Sequence, residues 1–297
     1  MRKYLAFDIG GTNLKYGIVT EEAELIYKKI IKIQDTYKEL VDYICKIYDE
    51  TDDIEEVIGI SCPESYNKEK KIIEGSSALS YIIGEDLLGD IKKKVNAEVI
   101  IENDGNCSLL GEIWNGKAKG KKNVALFVVG TAIGGAICID GKIIKGVNNS
   151  AGELGYMLLR NDVKNMNFNS LGGLSSVGGI VEKTREVHKG KITNGIELFN
   201  EFDKNKQLKK AVEEYITYLS LACINIQYII DPEVIIISGA ISSNDKYIDI
   251  LKEKVDEILK IKTFHKIKPT IVKAILGNDS NLLGIVYKYK QEIEYKT

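Results

Sequence analysis

Residues 100–112 read IIENDGNCSLLGE, an apolar run that passes through acid, amide, acid and glycine into a stretch of helical character. A carboxylate at such a junction has two ordinary uses. Asp104 can cap the helix by accepting a backbone N–H, which is worth about 1 kcal/mol. It can also accept the proton of a substrate hydroxyl as a general base. The two are compatible, because a helix N-terminus favours the ionised form. On this stretch alone the cap is the simpler reading.

Two glycine turns offer chemistry of another kind. DIGGTNLKYGIV at 8–19 lacks GxGxxG and GK[ST], and the residues after its glycines alternate like a strand. A dinucleotide fingerprint and a Walker A loop are both excluded by that context. The remaining reading is a hairpin tip where Gly10 and Gly11 let backbone N–H groups approach an anion without Cβ obstruction. Thr12 and Asn13 add side-chain donors, and Asp8, at the strand end, can hold Mg²⁺ through water. An ordinary tight turn is the alternative. VVGTAIGGAICIDG at 128–141 repeats the pattern with Gly130, Thr131, Gly134 and Gly135. Two such hairpins suggest two walls of a phosphate site. SGA at 238–240 again follows an apolar strand, where Gly239 and Ala240 leave room for a base or ribose.

The elements that must position these turns alternate in type. KYLAFDIG, LKYGIVT and YKKIIKI read as strands, and YKELVDYICKIYDE spaces Leu40, Val41, Ile44 and Ile47 as a helix. VIGISC is a strand closed by Pro63, DLLGDIKKKV a helix and AEVIIEN a strand. A second series begins near residue 120 with NVALFVVG and GAICIDGKIIKG, and DG at 140–141 marks a hairpin. Residues 160–200 read as polar loop. A long helix over 209–231, a strand in PEVIIISGA and an amphipathic helix from Tyr247 to Ile261 complete the series. The two halves share an outline of apolar strand, glycine turn and return strand. This alternation predicts an α/β protein.

Composition narrows the function classes. A chain of 297 residues, 44% hydrophobic and 28% charged, suits two domains. A net charge of −2 with interspersed Lys and Glu argues against nucleic acid as partner. No apolar run reaches the roughly 20 residues that span a bilayer, and the N-terminus lacks a signal-peptide pattern, so a cytoplasmic protein without membrane contact is expected. Five scattered cysteines without a CxxC pair, and only two histidines, fit buried reduced thiols rather than a structural zinc site.

DIGGT, ENDGNCSLLGE, GTAIGGAICIDGKIIKG and AGELGYM, in that order and spacing, resemble the ROK family of bacterial sugar kinases and related repressors. The resemblance runs from Tyr4 to NLLGIVYKYKQE at 281–292. It implies an actin-like, hexokinase-type fold in which two α/β domains flank a catalytic cleft for ATP and a hexose, with Mg²⁺ and frequently a homodimer. The expected division is 1–115, with a terminal helix over 282–297 packing back on it, and 116–281. By position, Asp8, Gly10, Gly11, Thr12, Asn13 and Lys15 fall in the first phosphate loop. Gly130, Thr131, Ala132, Gly134 and Gly135 fall in the second, and Gly239 and Ala240 on the adenosine side. Asn103, Asp104 and Glu153 match the sugar-binding and catalytic positions, with Tyr156 beside them. Gly75 in IIEGSSALS is a looser candidate for the sugar pocket floor.

Three departures refine the expectation. Members with zinc carry a histidine where Tyr156 stands, then a cysteine-rich segment where residues 168–182 read FNSLGGLSSVGGIVE. No zinc is therefore expected, and Glu182 as a replacement acid is less natural than a solvated helix glutamate. Ala132 stands where most members have glycine, so its methyl narrows the phosphate approach if positive φ is needed there. The zinc-free AGELGYM arrangement looks most like the β-glucoside kinase branch, with N-acetylmannosamine kinases as the close competitor. Only seven residues precede Asp8, which argues against the repressors' helix-turn-helix. A catalytically silent sugar- or nucleotide-binding protein is the alternative of another class. With the resemblance included, Asp104 becomes the expected base, and Asn103 and Glu153 the groups that hold vicinal sugar hydroxyls.

Overall fold

The computed structural model describes residues 1–75, 79–161, 169–239, 244–261 and 267–294. Two compact units emerge, Met1–Gly116 with Asn278–Thr297, and Lys117–Gly277.

The first unit opens with β1 (Lys3–Ile9), β2 (Asn13–Thr20) and β3 (Leu25–Lys32), an antiparallel meander. Helix α1 (Tyr37–Asp49) comes next, capped by Thr36, whose side chain accepts the Glu39 N–H. Its buried face holds Leu40, Val41, Ile44, Cys45 and Ile47, the stripe that helical spacing predicts. β4 (Val57–Cys62) is buried at every residue, which explains why its sequence shows no alternation. The short hairpin β5 (Ser65–Asn67) and β6 (Ile72–Glu74) leads to α2 (Leu87–Lys92), then β7 (Glu98–Asn103) and α3 (Asp104–Asn115). The sheet order is β3-β2-β1-β4-β7, and the last two joins are parallel.

The second unit repeats this plan. β8 (Val124–Val129), β9 (Ile133–Ile139) and β10 (Lys142–Ile143) form the meander. Asp140 at φ 51 and Gly141 at φ 77 make the tight turn that the DG pair predicts. Helix α4 (Lys206–Ile230) starts at Asn205, which accepts the Gln207 and Leu208 N–H groups, and ends at a left-handed Asp231. β11 (Val234–Ser238), α5 (Asp245–Ile261) and β12 (Ile271–Lys273) complete the unit. The sheet order β10-β9-β8-β11-β12 matches the first unit strand for strand. Helix α6 (Ser280–Glu294) then belongs to the first unit.

Residues 160–200 depart from the loop expectation. Within them lie helices at Leu171–Ser175, Val177–Lys183, Arg185–His188 and, running just past them, Gly195–Glu201. Ser170 and Ser176 cap the first two through their side chains. Glycine is a poor helix former, and LGGLSSVGGI holds four. Packing overrides propensity here, since a Cβ on Gly178 would lie 2.5 Å from the Thr131 carbonyl oxygen.

Candidate functional site

The first unit gathers its polar groups at the carboxyl ends of three parallel strands. Register sets Asp8 of β1 beside Ser61 of β4, and Cys62 of β4 beside Asn103 of β7. Carboxyl ends of parallel strands are the usual ligand-binding edge of such sheets. Asn103, not Asp104, caps α3: its side chain accepts the Asn106 N–H at 3.2 Å. This corrects the capping expectation by one residue. Asp104 is the first helical residue, and its Oδ1 accepts the Gly105 N–H at 2.7 Å. Burial pushes the Cys62 thiol up to about 12, and the Asp104, Glu64 and Asp8 carboxylates add to it. That thiol stays protonated and inert near neutral pH.

Asp8 is engaged by three donors. Lys15 Nζ reaches Oδ2 at 2.8 Å, while Ser61 Oγ and Asn281 Nδ2 both donate to Oδ1 at 2.9 Å. Lys15 also donates to the Asn278 carbonyl. Lys15, on β2, is the counter-ion of Asp8. A carboxylate offers about four lone-pair positions, so one remains for a water of a metal ion's shell. That donor set is compatible with Mg²⁺ held through water. Gly10, Gly11, Thr12 and Asn13 form the β1–β2 tip, where the Gly10 N–H donates to the Asn13 carbonyl at 2.9 Å. Thr12 and Asn13 side chains are exposed. Gly75 lies at φ 148, and a Cβ there would overlap the Glu64 carboxylate.

In the second unit the glycines divide by physical role. A Cβ on Gly130 or Gly134 would meet nothing closer than 3.9 Å, so space stands open where each side chain is missing. Gly135 is required for packing, because its Cβ would lie 2.7 Å from the Gly152 carbonyl oxygen. Gly155 would place a Cβ 1.9 Å from the Ile133 carbonyl oxygen. These contacts clamp the loop that carries Glu153 against β9. Burial pushes the Glu153 carboxyl above the usual carboxylate range. Tyr156 is 74% exposed. Ala132 is absent from the positive-φ residues, so its methyl causes no backbone strain. Thr131 is exposed, and the Val177 N–H donates to the Gly130 carbonyl at 2.9 Å. Gly239 at φ 89 approaches β8 so closely that a Cβ would lie 2.4 Å from the Val129 carbonyl oxygen. Ala240 lies outside the described residues. Glu182 is a surface residue paired with Arg185.

A sequence profile of the ROK family matches residues 4–292. The chain belongs to the ROK family. Among its relatives, the β-glucoside kinase of Listeria monocytogenes is 28% identical over 295 residues, spanning 98% of each chain. A ROK family protein of Streptococcus pneumoniae, solved in complex with sucrose, is 29% identical and superposes with a TM-score of 0.91 over 99% of both chains. A ROK family glucokinase of Streptomyces griseus, solved with glucose and AMPPNP, is 19% identical, with a TM-score of 0.80 over 97% of this chain and 99% of that one. The fold is therefore the actin-like, hexokinase-type fold of the ROK family.

Sequence reasoning passed over several residues of this ROK chain's site region. Ser61 and Asn281 hold Asp8, and Glu64 faces Gly75. Gly152 and Gly155 set the Glu153 loop. The signal for the last two was present, since AGELG places both glycines around the acid. Among the described residues no three His, Cys, Asp or Glu side chains gather as metal ligands. The five cysteines are buried and unpaired with one another, and no described helix is long and apolar enough to cross a membrane.

Proposed function

We propose that this ROK-family chain is an ATP-dependent sugar kinase that moves the γ-phosphoryl group onto a hexose or hexoside hydroxyl, with the 6-hydroxyl of glucose or a β-glucoside as acceptor. The observation that carries the reading is the Asn103–Asp104 pair at the carboxyl edge of the sheet, the edge that also carries Asp8 two strands away. Asp104 sits on the first turn of α3, where the helix dipole favours its ionised form. Its Oδ1 is oriented by the Gly105 N–H, and this carboxylate is the group that accepts a hydroxyl proton. In the first unit Asn103 supplies an amide that orients a sugar hydroxyl, and in the second Glu153 supplies a carboxyl suited to the same task. Each unit has its own glycine turn, Gly10–Gly11 in the first and Gly130 with Gly134 in the second, whose backbone N–H groups suit phosphate oxygens. Mg²⁺ held through water by Asp8 would offset charge on the β- and γ-phosphates.

The direct test is ADP release coupled to a sugar panel: glucose, cellobiose, gentiobiose, N-acetylmannosamine, N-acetylglucosamine and fructose. Turnover with glucose or a β-glucoside above all others is the expected result. Turnover led by N-acetylmannosamine would move the acceptor to an amino sugar and leave the kinase in place. No sugar-dependent ADP at all would make the chain a silent binding protein. The same reading has the chain work without zinc, since Tyr156 and FNSLGGLSSVGGIVE replace the family's zinc ligands. One zinc per chain in metal analysis of the active protein would overturn that part.

A further inference from the structure

We infer that Lys288, on α6, is a positioning residue for Asp104 and acts through the buried carboxylate of Glu102. This inference rests on the reading of Asp104 as the base. Glu102 lies near the end of β7, one residue before the α3 cap, and its side chain is 3% exposed. Its Oε1 accepts the Asn103 backbone N–H at 2.9 Å and the Asn106 side-chain amide at 3.0 Å. One carboxylate oxygen therefore ties the residue before Asp104 to the residue two positions after it. The other oxygen, Oε2, pairs with Lys288 Nζ at 3.0 Å. Lys288 reaches Glu292 as well, at 3.2 Å, and its own side chain is 14% exposed.

The physical logic runs from charge to geometry. A carboxylate this buried stays ionised only with a paired cation. Burial alone would lower the pKa of the Lys288 ammonium, and the Glu102 and Glu292 carboxylates more than offset that, so it stays charged. Taking the ammonium away removes the cation paired with Oε2, and the carboxylate that holds Asn103 and Asn106 settles into a different set of contacts. The first turn of α3 then loses its fixed place, and the Asp104 carboxylate rides on that turn. Among the described residues the Lys288 ammonium pairs with Glu102 and Glu292, and with neither Asp8 nor the glycine turns. Its loss therefore acts on the base and leaves ATP binding alone.

The test is steady-state kinetics with ATP and the sugar of highest turnover in the panel. Lys288→Met is expected to lower kcat about 10-fold or more, since a displacement near 1 Å can cost on the order of 10²-fold. KM for ATP should stay within about twofold, because only an interaction specific to the transition state is lost. Lys288→Arg, which keeps a cation beside both carboxylates, should recover most of the turnover. Glu102→Gln should lower kcat similarly, and the double variant should fall no further than the worse single one. A purely structural pair would instead lower thermal stability and leave kcat per folded chain unchanged, which overturns the inference. Should Lys288→Met yield no folded chain, Glu102→Gln decides alone, and a wild-type kcat there overturns it. A lowered kcat in Lys288→Met beside normal turnover in Asp104→Asn would overturn the base reading instead.

Discussion

Asp104→Asn is expected to lower turnover by at least about 10²-fold while sugar binding survives, because general-base catalysis contributes about 10²–10⁴-fold. The substitution changes one oxygen to an amide and keeps the shape. Asparagine can still accept the Gly105 N–H through its carbonyl, so the side chain stays in place. It has no basic oxygen left for the hydroxyl proton. The structure makes this experiment clean, since Asn103 and not Asp104 provides the cap of α3. Losing the charge at the first helical position costs only about 0.3–1 kcal/mol through the helix dipole. A small change in thermal midpoint with a large fall in coupled ADP release therefore isolates the chemistry. Asn103→Ala is the contrasting case, where stability itself falls by about 1 kcal/mol with the cap. Near-normal turnover in Asp104→Asn would sink the catalytic assignment.

Much of the fold was legible because its signals are local. The strands that became β1, β4, β7, β8 and β11 are apolar runs ended by glycine, proline or a polar cap. The Asp140–Gly141 turn needs positive φ at both residues, and the sequence supplies the pair that tolerates it. The cap shows where locality runs out. Asn103 and Asp104 are both good capping residues, and the choice depends on where β7 stops pairing with β4. That register is a long-range fact, fixed by Cys62 opposite Asn103. Most of the short helices of residues 171–201 were hidden for a related reason, since glycines in them lower propensity and packing contacts such as Gly178 on Thr131 explain their presence. Glycine carried two messages that a sequence cannot separate. Gly134 leaves open space while Gly135, its neighbour, lets the Glu153 loop lie flat on β9. The Glu102–Lys288 pair was invisible because its partners are far apart in the chain. Each alone is an unremarked charge, one on a strand and one on the terminal helix.

Gly284→Val is expected to be strongly destabilising, and α3 explains why. Helices α3 and α6 meet almost backbone to backbone. A Cβ on Gly284 would lie 1.8 Å from the Cys107 carbonyl oxygen and 2.9 Å from the Gly111 nitrogen. Gly111 answers from the other side, since its Cβ would lie 2.3 Å from the Ser280 carbonyl oxygen. Around this crossing Ser108 and Ser280 hydroxyls lie 3.2 Å apart, and Trp114 stacks on Tyr287 with ring centroids 5.5 Å apart. A helix carbonyl cannot rotate away from an intruding methyl, because it is fixed in the helix backbone. The helices must separate, and separation opens the stacked pair and the apolar seam together. Overpacking of this kind costs about 1–3 kcal/mol where side chains can yield, so a backbone clash should reach about 3 kcal/mol or more. Urea unfolding should show it as a lowered midpoint. A midpoint shift equivalent to less than about 0.5 kcal/mol, the range of an ordinary surface substitution, would mean that the helices are not held this close. Because α3 opens with Asp104, turnover should decline with the crossing as well, which makes Gly284 a residue whose loss reaches the proposed base without touching it.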